Sequence, residues 1–173
     1  LGNVIDPLAL TKKYGADAVR YYLLREIPPM DDGDFSAVKF EARYTADLAN
    51  GLGNFAARLT ALASRAGITA ALAPEAAVAD AITKTRETVR NKMGEYALHE
   101  AVAAVWELIT FGNQYMNEKK PWDKAVAEAD KIIAINNGLV ILDAVAELLM
   151  PFLPNAAEAI KSGTAGMLFP RIA

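Results

Sequence analysis

Two polar side chains, Asn54 and Arg58, are four residues apart in a stretch that reads as one long helix. At that spacing they lie one turn apart on the same face, and Asn50 extends the polar strip by another turn. An amide presents a paired donor and acceptor, and a guanidinium presents a planar fork of donors. Such groups read the edges of nucleic-acid bases, so the strip is a candidate RNA contact.

A tryptophan is the second candidate. Trp122 follows two lysines and a proline between two predicted helices. An indole at the mouth of a helical hairpin, next to two ammonium groups, is suited to stacking on an unpaired base. Proteins usually read RNA sequence in single strands, and each base stack is worth about 1–3 kcal/mol. The candidate RNA-binding residues are therefore Asn54, Arg58 and Trp122.

Both patterns also have an ordinary structural explanation. An Asn-x-x-x-Arg pattern on a helix is commonly a solvated face. A Pro-Trp pair after a helix is commonly a buried plug that closes the end of a bundle. From these residues alone, the function of the bundle stays open.

The sequence contains no recognisable catalytic centre or metal site. Its only histidine, His99, lacks partners at ligand or acid–base spacing and is interpreted as an ordinary helix residue. Phosphate-binding glycine loops and Gly-x-Ser-x-Gly elbows are absent. The absence of cysteine excludes disulfides, thiolate zinc sites and cysteine nucleophiles. We therefore predict that this chain alone catalyses no reaction and holds no cofactor or metal.

The composition, 53% hydrophobic and 23% charged, is typical of a soluble globular protein. The net charge is -3, whereas proteins that hold nucleic acids mainly through phosphates are normally basic. An RNA contact must then depend on a few placed side chains, and no DNA partner is expected. Polar residues interrupt each apolar stretch before the roughly 20 residues of a membrane span, so no membrane association is predicted.

The chain begins at Leu1 in what reads as a continuing loop, so we interpret it as a piece of a longer protein. It has no basic and apolar leader, and it contains no cysteine. Both observations are compatible with the cytoplasm, which is the predicted location.

Hydrophobic periodicity predicts an all-α protein, an antiparallel helix bundle. Asp6 and Pro7 indicate the start of a short helix that ends at Gly15. A second helix is predicted from Ala16 to the proline-containing stop at 27–29. Its inward residues are predicted to be Val19, Tyr22 and Leu23.

A much longer element is predicted from the N-cap Ser36 to Gly67. Gly51 and Gly53 within it each cost about 1 kcal/mol against Ala, which points to a close approach of another helix. The inward stripe of this element comprises Tyr44, Leu48, Leu52, Phe55, Leu59 and Leu62.

The second half of the chain predicts three long helices and a short one. They run from Pro74 to about Lys92, from Tyr96 to the break at Pro121, from 123 or 128 to 150, and over 156–161, before an extended tail. The helix before Pro121 has the clearest inward face: Leu98, Ala101, Val102, Val105, Leu108, Ile109, Gly112, Tyr115 and Met116. The next helix is predicted to turn inward Ile132, Ile135, Leu139, Leu142, Ala146 and Leu149.

The same sequence resembles a family, the methionyl-tRNA synthetases, over essentially its whole length. Its first part is similar to the segment after the Lys-Met-Ser-Lys-Ser loop of class I aminoacyl-tRNA synthetases. The residues that carry the resemblance are Leu1-Gly2-Asn3-Val4-Ile5-Asp6-Pro7, Tyr14-Gly15-Ala16-Asp17-Ala18-Val19-Arg20-Tyr21-Tyr22-Leu23-Leu24, Arg25-Glu26-Ile27-Pro28, Asp32-Gly33-Asp34-Phe35-Ser36, Asp47-Leu48-Ala49-Asn50-Gly51-Leu52-Gly53-Asn54, Asn113-Gln114-Tyr115, Lys120-Pro121-Trp122 and Leu168-Phe169-Pro170-Arg171-Ile172. The combination, rather than any single motif, is specific.

The resemblance implies that residues 34–162 are a helical anticodon-binding domain of the class I synthetase type. Residues 1–33 would end the stem-contact region that follows the catalytic domain, and residues 163–173 would form a C-terminal tail. In this family an Asn and an Arg one turn apart, and a Trp after a Pro, recognise the anticodon CAU. These roles fall on Asn54, Arg58 and Trp122. The hypothesis is that Trp122 stacks on the first anticodon base while the other two bind base edges.

The resemblance also implies a division of labour. The nucleotide-binding catalytic domain is absent from this chain, so ATP, magnesium and methionine would act elsewhere in the parent ligase, as would zinc in members that carry it. The expected partners are methionine tRNA, through its anticodon, and the catalytic domain of the same parent chain.

Two alternatives stay open. One is the anticodon-binding domain of another class I synthetase, specific for leucine, valine, isoleucine or cysteine. The other is a non-enzymatic helical scaffold that docks proteins through its apolar stripes.

Overall fold

The computed structural model describes residues 6–27, 35–68 and 72–172. Those parts of the chain form helices and connecting turns without a strand, which confirms the all-α prediction. In chain order the elements are α1 (Pro7–Tyr14), α2 (Ala16–Glu26), α3 (Ala37–Arg43), a π-helix (Tyr44–Gly53), α4 (Asn54–Ala66), α5 (Ala76–Gly94), α6 (Leu98–Lys119), α7 (Glu128–Leu149), α8 (Pro154–Lys161) and a 3₁₀ turn (Ala165–Met167).

The first two helices begin and end where their capping and helix-breaking residues predict. The Asp6 carboxylate accepts a hydrogen bond from the Leu8 amide at 2.9 Å, and Gly15 adopts a φ of 86° between α1 and α2. The inward face of α2 differs from the prediction, because Leu23 is 44% exposed while Tyr21 is buried. The reason is that α2 packs on both α6 and α8, which centres its buried face on Tyr21 and Tyr22.

The helix α2 is fastened to the corner between α7 and α8. The buried carboxylate of Asp17 accepts hydrogen bonds from the Asn155 side chain at 2.9 Å and from the Ala156 amide at 2.7 Å. Arg20 donates to the carbonyl oxygens of Pro151 and Phe152 at 2.9 and 2.8 Å. Residues 6–27 thus share one packed body with the bundle. The predicted domain boundary at 33 lies outside the described residues and stays a prediction.

The long element between Ser36 and Gly67 is interrupted by a π-helix, which the sequence pattern did not indicate. Ser36 caps α3, and the predicted stripe is buried from Tyr44 through Leu59. A Cβ at Gly53 would lie 3.0 Å from the carbonyl oxygen of Leu48. Glycine there is explained by the wide π turn, so the predicted reason, a neighbouring helix, is wrong for Gly53.

The close helix approach occurs instead where α4, α6 and α7 cross. A Cβ at Gly112 on α6 would lie 2.6 Å from Cζ of Phe55 on α4 and 3.1 Å from Cγ2 of Ile141 on α7. A Cβ at Gly138 on α7 would overlap the side chain of Leu59 on α4. Two glycines therefore let the three central helices approach closely.

Replacing Gly112 with Ala is expected to lower the free energy of unfolding by about 1–3 kcal/mol. The added methyl group would overlap the fully buried ring of Phe55, which outweighs the roughly 1 kcal/mol that Ala gains over Gly in a helix. Gly94→Ala is the matched control, because a Cβ there meets nothing within 4 Å. Chemical denaturation tests the difference, and equal stability of the two variants would contradict it.

The central helix α7 corrects two expectations. By length and composition α7 is apolar enough to cross a membrane, which differs from the prediction that polar residues interrupt every apolar stretch. However, 61% of its most apolar stretch is buried inside the bundle. Its inward face is wider than predicted: Ile135, Leu142, Ala146 and Leu149 are buried as expected, Ile141 and Val145 are buried as well, and of the predicted residues only Ile132, near the start of the helix, is clearly exposed, at 40%. A helix packed against α4, α5, α6 and α8 buries more of its circumference than a single stripe.

Candidate nucleic-acid interface

The structure brings Arg58 and Trp122 into direct contact. The Arg58 guanidinium carbon lies 4.9 Å from the centroid of the Trp122 ring, in a cation–π arrangement. Its two terminal nitrogens donate to side-chain oxygens on α6, to Asn117 at 3.1 Å and to Asn113 at 3.4 Å. We call Arg58, Asn113, Asn117 and Trp122 the reading cluster. It joins α4, α6 and the turn after α6.

Asn54 lies beside this cluster. It is the first residue of α4, directly after the π-helix, and its side chain is exposed one helical turn before Arg58. Its backbone amide donates to the carbonyl oxygens of Ala49 and Gly51, whereas its side-chain amide has no hydrogen-bond partner among the described residues. Asn54 is thus open to a ligand while Arg58 is held in place.

The turn after α6 positions the tryptophan. Lys120 ends the helix with a φ of 45°, and the Asp123 amide donates to its carbonyl oxygen at 2.8 Å. Pro121 is buried, whereas Trp122 is 46% exposed. The buried plug considered for the Pro-Trp pair is therefore formed by the proline, and the indole remains accessible.

Arg58 is charged and poorly compensated. Burial lowers the pKa of its guanidinium from the ordinary value, which is far above neutrality, so the cation persists. In the parts of the chain that the structure describes, its hydrogen-bond partners are neutral amide oxygens rather than carboxylates, and its buried Nε has no partner. A partly desolvated cation of this kind interacts more strongly with an incoming acceptor than one in water.

A second network supports the same end of α6, and the sequence analysis missed it. The Tyr115 hydroxyl donates to the Glu75 carboxylate at 2.9 Å and accepts from the Asn137 amide at 2.8 Å. The Glu75 backbone amide donates in turn to Asn137 at 2.9 Å, and the Lys119 ammonium lies 3.7 Å from Glu75. The available signal was the pair of asparagines inside the apolar run of α7.

This network predicts a pH dependence above neutrality. Burial, followed by the hydrogen bond to Glu75, raises the pKa of Tyr115 to about 12 from an ordinary 10.0. The pKa of Tyr115 is higher in the folded state than in the unfolded state. The protonated hydroxyl therefore contributes fully to the free energy of unfolding below about pH 10, and this contribution is lost as the pH rises towards 12. The difference in the free energy of unfolding between wild type and Tyr115→Phe should therefore decrease between about pH 10 and 12. Denaturant unfolding at several pH values tests this, and a constant gap would contradict it.

His99 lies in the first turn of α6, with its Nε2 3.8 Å from the Glu100 carboxylate. Among the described residues no three His, Asp or Glu side chains are grouped as a metal site requires. The arrangement at the other end of α6 is suited to binding rather than to catalysis. It offers an accessible aromatic face, a held guanidinium and a free amide.

Two family models match this chain. One, described as class I tRNA synthetases of the methionyl group, matches residues 1–60. The other, described as the anticodon binding domain of methionyl tRNA ligase, matches residues 65–167. The second match alone covers more than half of the chain.

Similar proteins include the methionine–tRNA ligases of Thermotoga maritima and Clostridium tetani, which are 33% and 36% identical over 168 residues. Each alignment covers 92% of this chain but only 27% and 26% of the relative. The crystal structure of apo Mycobacterium tuberculosis methionyl-tRNA synthetase superposes with a TM-score of 0.86 at 27% identity, covering 98% of this chain and 41% of that one. The chain thus spans about a quarter of the length of the two ligases and about two fifths of the chain in that crystal structure.

Proposed function

Because the chain belongs to the family of methionyl-tRNA ligase anticodon-binding domains, we propose that it reads the anticodon CAU of methionine tRNA through Asn54, Arg58 and Trp122. The observation that carries the proposal is the contact between a held guanidinium and a half-exposed indole. One face of the indole is covered by Arg58, so the accessible part of the ring is available to a base.

In this mechanism Trp122 stacks on the first anticodon base, while Arg58 and Asn54 hydrogen-bond to base edges. Asn113 and Asn117 orient the guanidinium before RNA arrives, which reduces the ordering cost of binding. A wrong base leaves polar groups of the interface without partners, at about 1–3 kcal/mol each. Discrimination therefore arises from unpaired groups as much as from favourable contacts.

The ligase activity belongs to the whole protein of which this chain would be a part. In that proposal the parent attaches methionine to its tRNA with ATP and magnesium, in a catalytic domain that also carries zinc in some members. The present chain contributes anticodon recognition in the cytoplasm and is inactive by itself. Its net charge of -3 fits this restricted role, because it provides no general positive field for DNA or an anionic membrane surface.

The proposal is tested by measuring the affinity of the 173-residue chain for purified tRNAs at one fixed salt concentration. Methionine tRNA is expected to bind at least about tenfold more tightly than the tRNAs for leucine, valine, isoleucine and cysteine. Preference for one of those four would indicate a different synthetase specificity. Failure to bind any tRNA would overturn the proposal and favour a protein-docking scaffold.

A further inference from the structure

An open groove of about 370 Å³ lies between α2, the π-helix and α6. Arg25 of α2 lines one side of the groove, together with Arg43 of α3 and Asp47 of the π-helix. Thr110 and Gln114 of α6 line it as well. The groove is separate from the reading cluster, and none of the three residues assigned to anticodon recognition lines it. Its function has to be sought in its own side chains.

Arg25 is the cation of this groove that has no partner among the described residues. It is partly buried, and within those parts of the chain its Nε, which is out of contact with solvent, has no hydrogen-bond acceptor. Two arginines close to it are engaged, Arg20 by two carbonyl oxygens and Arg43 by Glu26 at 2.6 Å. The side chain of Arg25 lines the groove, and no ion pair among the described residues neutralises its charge.

The interior acid near Arg25, Asp47, already has partners. Asp47 accepts from the Tyr21 hydroxyl at 2.7 Å and from Arg43 at 3.2 Å. Burial and the neighbouring Asp47 raise the pKa of Tyr21, so this hydroxyl keeps the proton that it donates. Glu107 is the exposed acid at the rim of the groove. The interior acid is thus compensated, and the positive charge of Arg25 is left for a ligand.

The groove and the reading cluster share one helix. On α6, Thr110 and Gln114 line the groove, and Asn113 and Asn117 hold Arg58. A helix rises about 1.5 Å per residue, so Thr110 lies roughly 10 Å along the axis from Asn117. An RNA strand held at the cluster can reach the groove with a neighbouring nucleotide.

We propose that this groove binds a backbone phosphate of the same RNA strand, with Arg25 as its principal donor. A guanidinium fork matches the geometry of a phosphate, and the side-chain amide of Gln114 provides a further donor on the opposite wall. The contact positions the strand and carries no base information. This inference depends on the proposed function, because it requires an RNA strand at the reading cluster.

The test compares Arg25→Gln with wild type for methionine tRNA and for the same tRNA with altered anticodon bases. We expect affinity to fall about 3- to 10-fold for every anticodon alike, since a phosphate contact is blind to sequence. The dependence of log affinity on log salt should become shallower by roughly 0.7 to 0.9. Arg25→Lys, which keeps the charge, should retain the wild-type slope.

Two further variants serve as controls. Glu107→Gln removes the rim acid and should strengthen binding, whereas Arg90→Gln, an exposed arginine on α5 outside the groove, should change neither affinity nor slope. Thermal unfolding confirms that each variant is folded. If wild type discriminates among tRNAs but Arg25→Gln keeps its affinity and salt slope, the phosphate site is wrong while anticodon reading stands. A loss confined to one anticodon would also overturn it, and failure of wild type to bind any tRNA would overturn both.

Discussion

Trp122→Ala is expected to weaken binding of methionine tRNA about 10- to 100-fold. Stacking of one base is worth about 1–3 kcal/mol, and each 1.4 kcal/mol corresponds to a factor of ten. The substitution also removes the aromatic surface that lies against the Arg58 guanidinium, so the position of the Arg58 side chain is less well fixed. Equilibrium titration with the tRNA, at one salt concentration, measures the loss.

Trp122→Phe is the matched control for this prediction. It keeps a flat aromatic ring at the same place and should recover a substantial part of the affinity. Because Trp122 is half-exposed, neither variant should shift the unfolding free energy by more than about 1 kcal/mol, roughly the value of the lost cation–π contact. Binding by Trp122→Ala as tight as that of wild type would exclude this residue from the interface.

Arg58→Lys is expected to reduce affinity at least about tenfold and to relax discrimination at the base that Arg58 reads. A lysine keeps the charge but lacks the planar fork that joins Asn113, Asn117 and the indole face. A bidentate contact to a base edge is worth about 1–3 kcal/mol of discrimination. The measurement is the ratio of affinities for the correct anticodon and for single-base substitutions.

The salt dependence of the affinity distinguishes Arg58→Lys from the groove variant Arg25→Gln. Arg58→Lys retains a cation, so its salt slope should match that of wild type, whereas the slope of Arg25→Gln should be shallower. Asn117→Ala is a milder companion, because it removes one of the two oxygens that orient the guanidinium. If Arg58→Lys weakens every anticodon equally, Arg58 contacts the backbone rather than a base.

The helices were largely predictable from local rules. Caps at Asp6 and Ser36 and the stop at Gly67 set the ends of helices where such residues normally do. The π-helix was not predictable, because an apolar stripe at steps of three and four residues is the pattern of an ordinary α-helix. Leu23 and Ile132 were placed inward by spacing alone, but the arrangement of neighbouring helices decides which face is buried.

The candidate site was predictable in its residue types and not in its geometry. Asn54 and Arg58 were identified from a four-residue spacing, and Trp122 from its place after a proline. The stacking of Arg58 on Trp122 joins residues 64 positions apart and depends on how α4 packs against α6. Local pattern rules do not contain that information. The same holds for Arg25, whose significance depends on which neighbouring acids are already paired.

The most direct test of anticodon reading is a thermodynamic cycle between Trp122→Ala and a substitution of the first anticodon base. Four affinities are measured, for wild type and variant protein with native and substituted methionine tRNA. If the indole stacks on that base, the two changes are coupled by about 1 kcal/mol or more, so that the protein variant distinguishes the two tRNAs several-fold less well. Additive effects within about 0.3 kcal/mol would show that Trp122 and the first anticodon base do not meet.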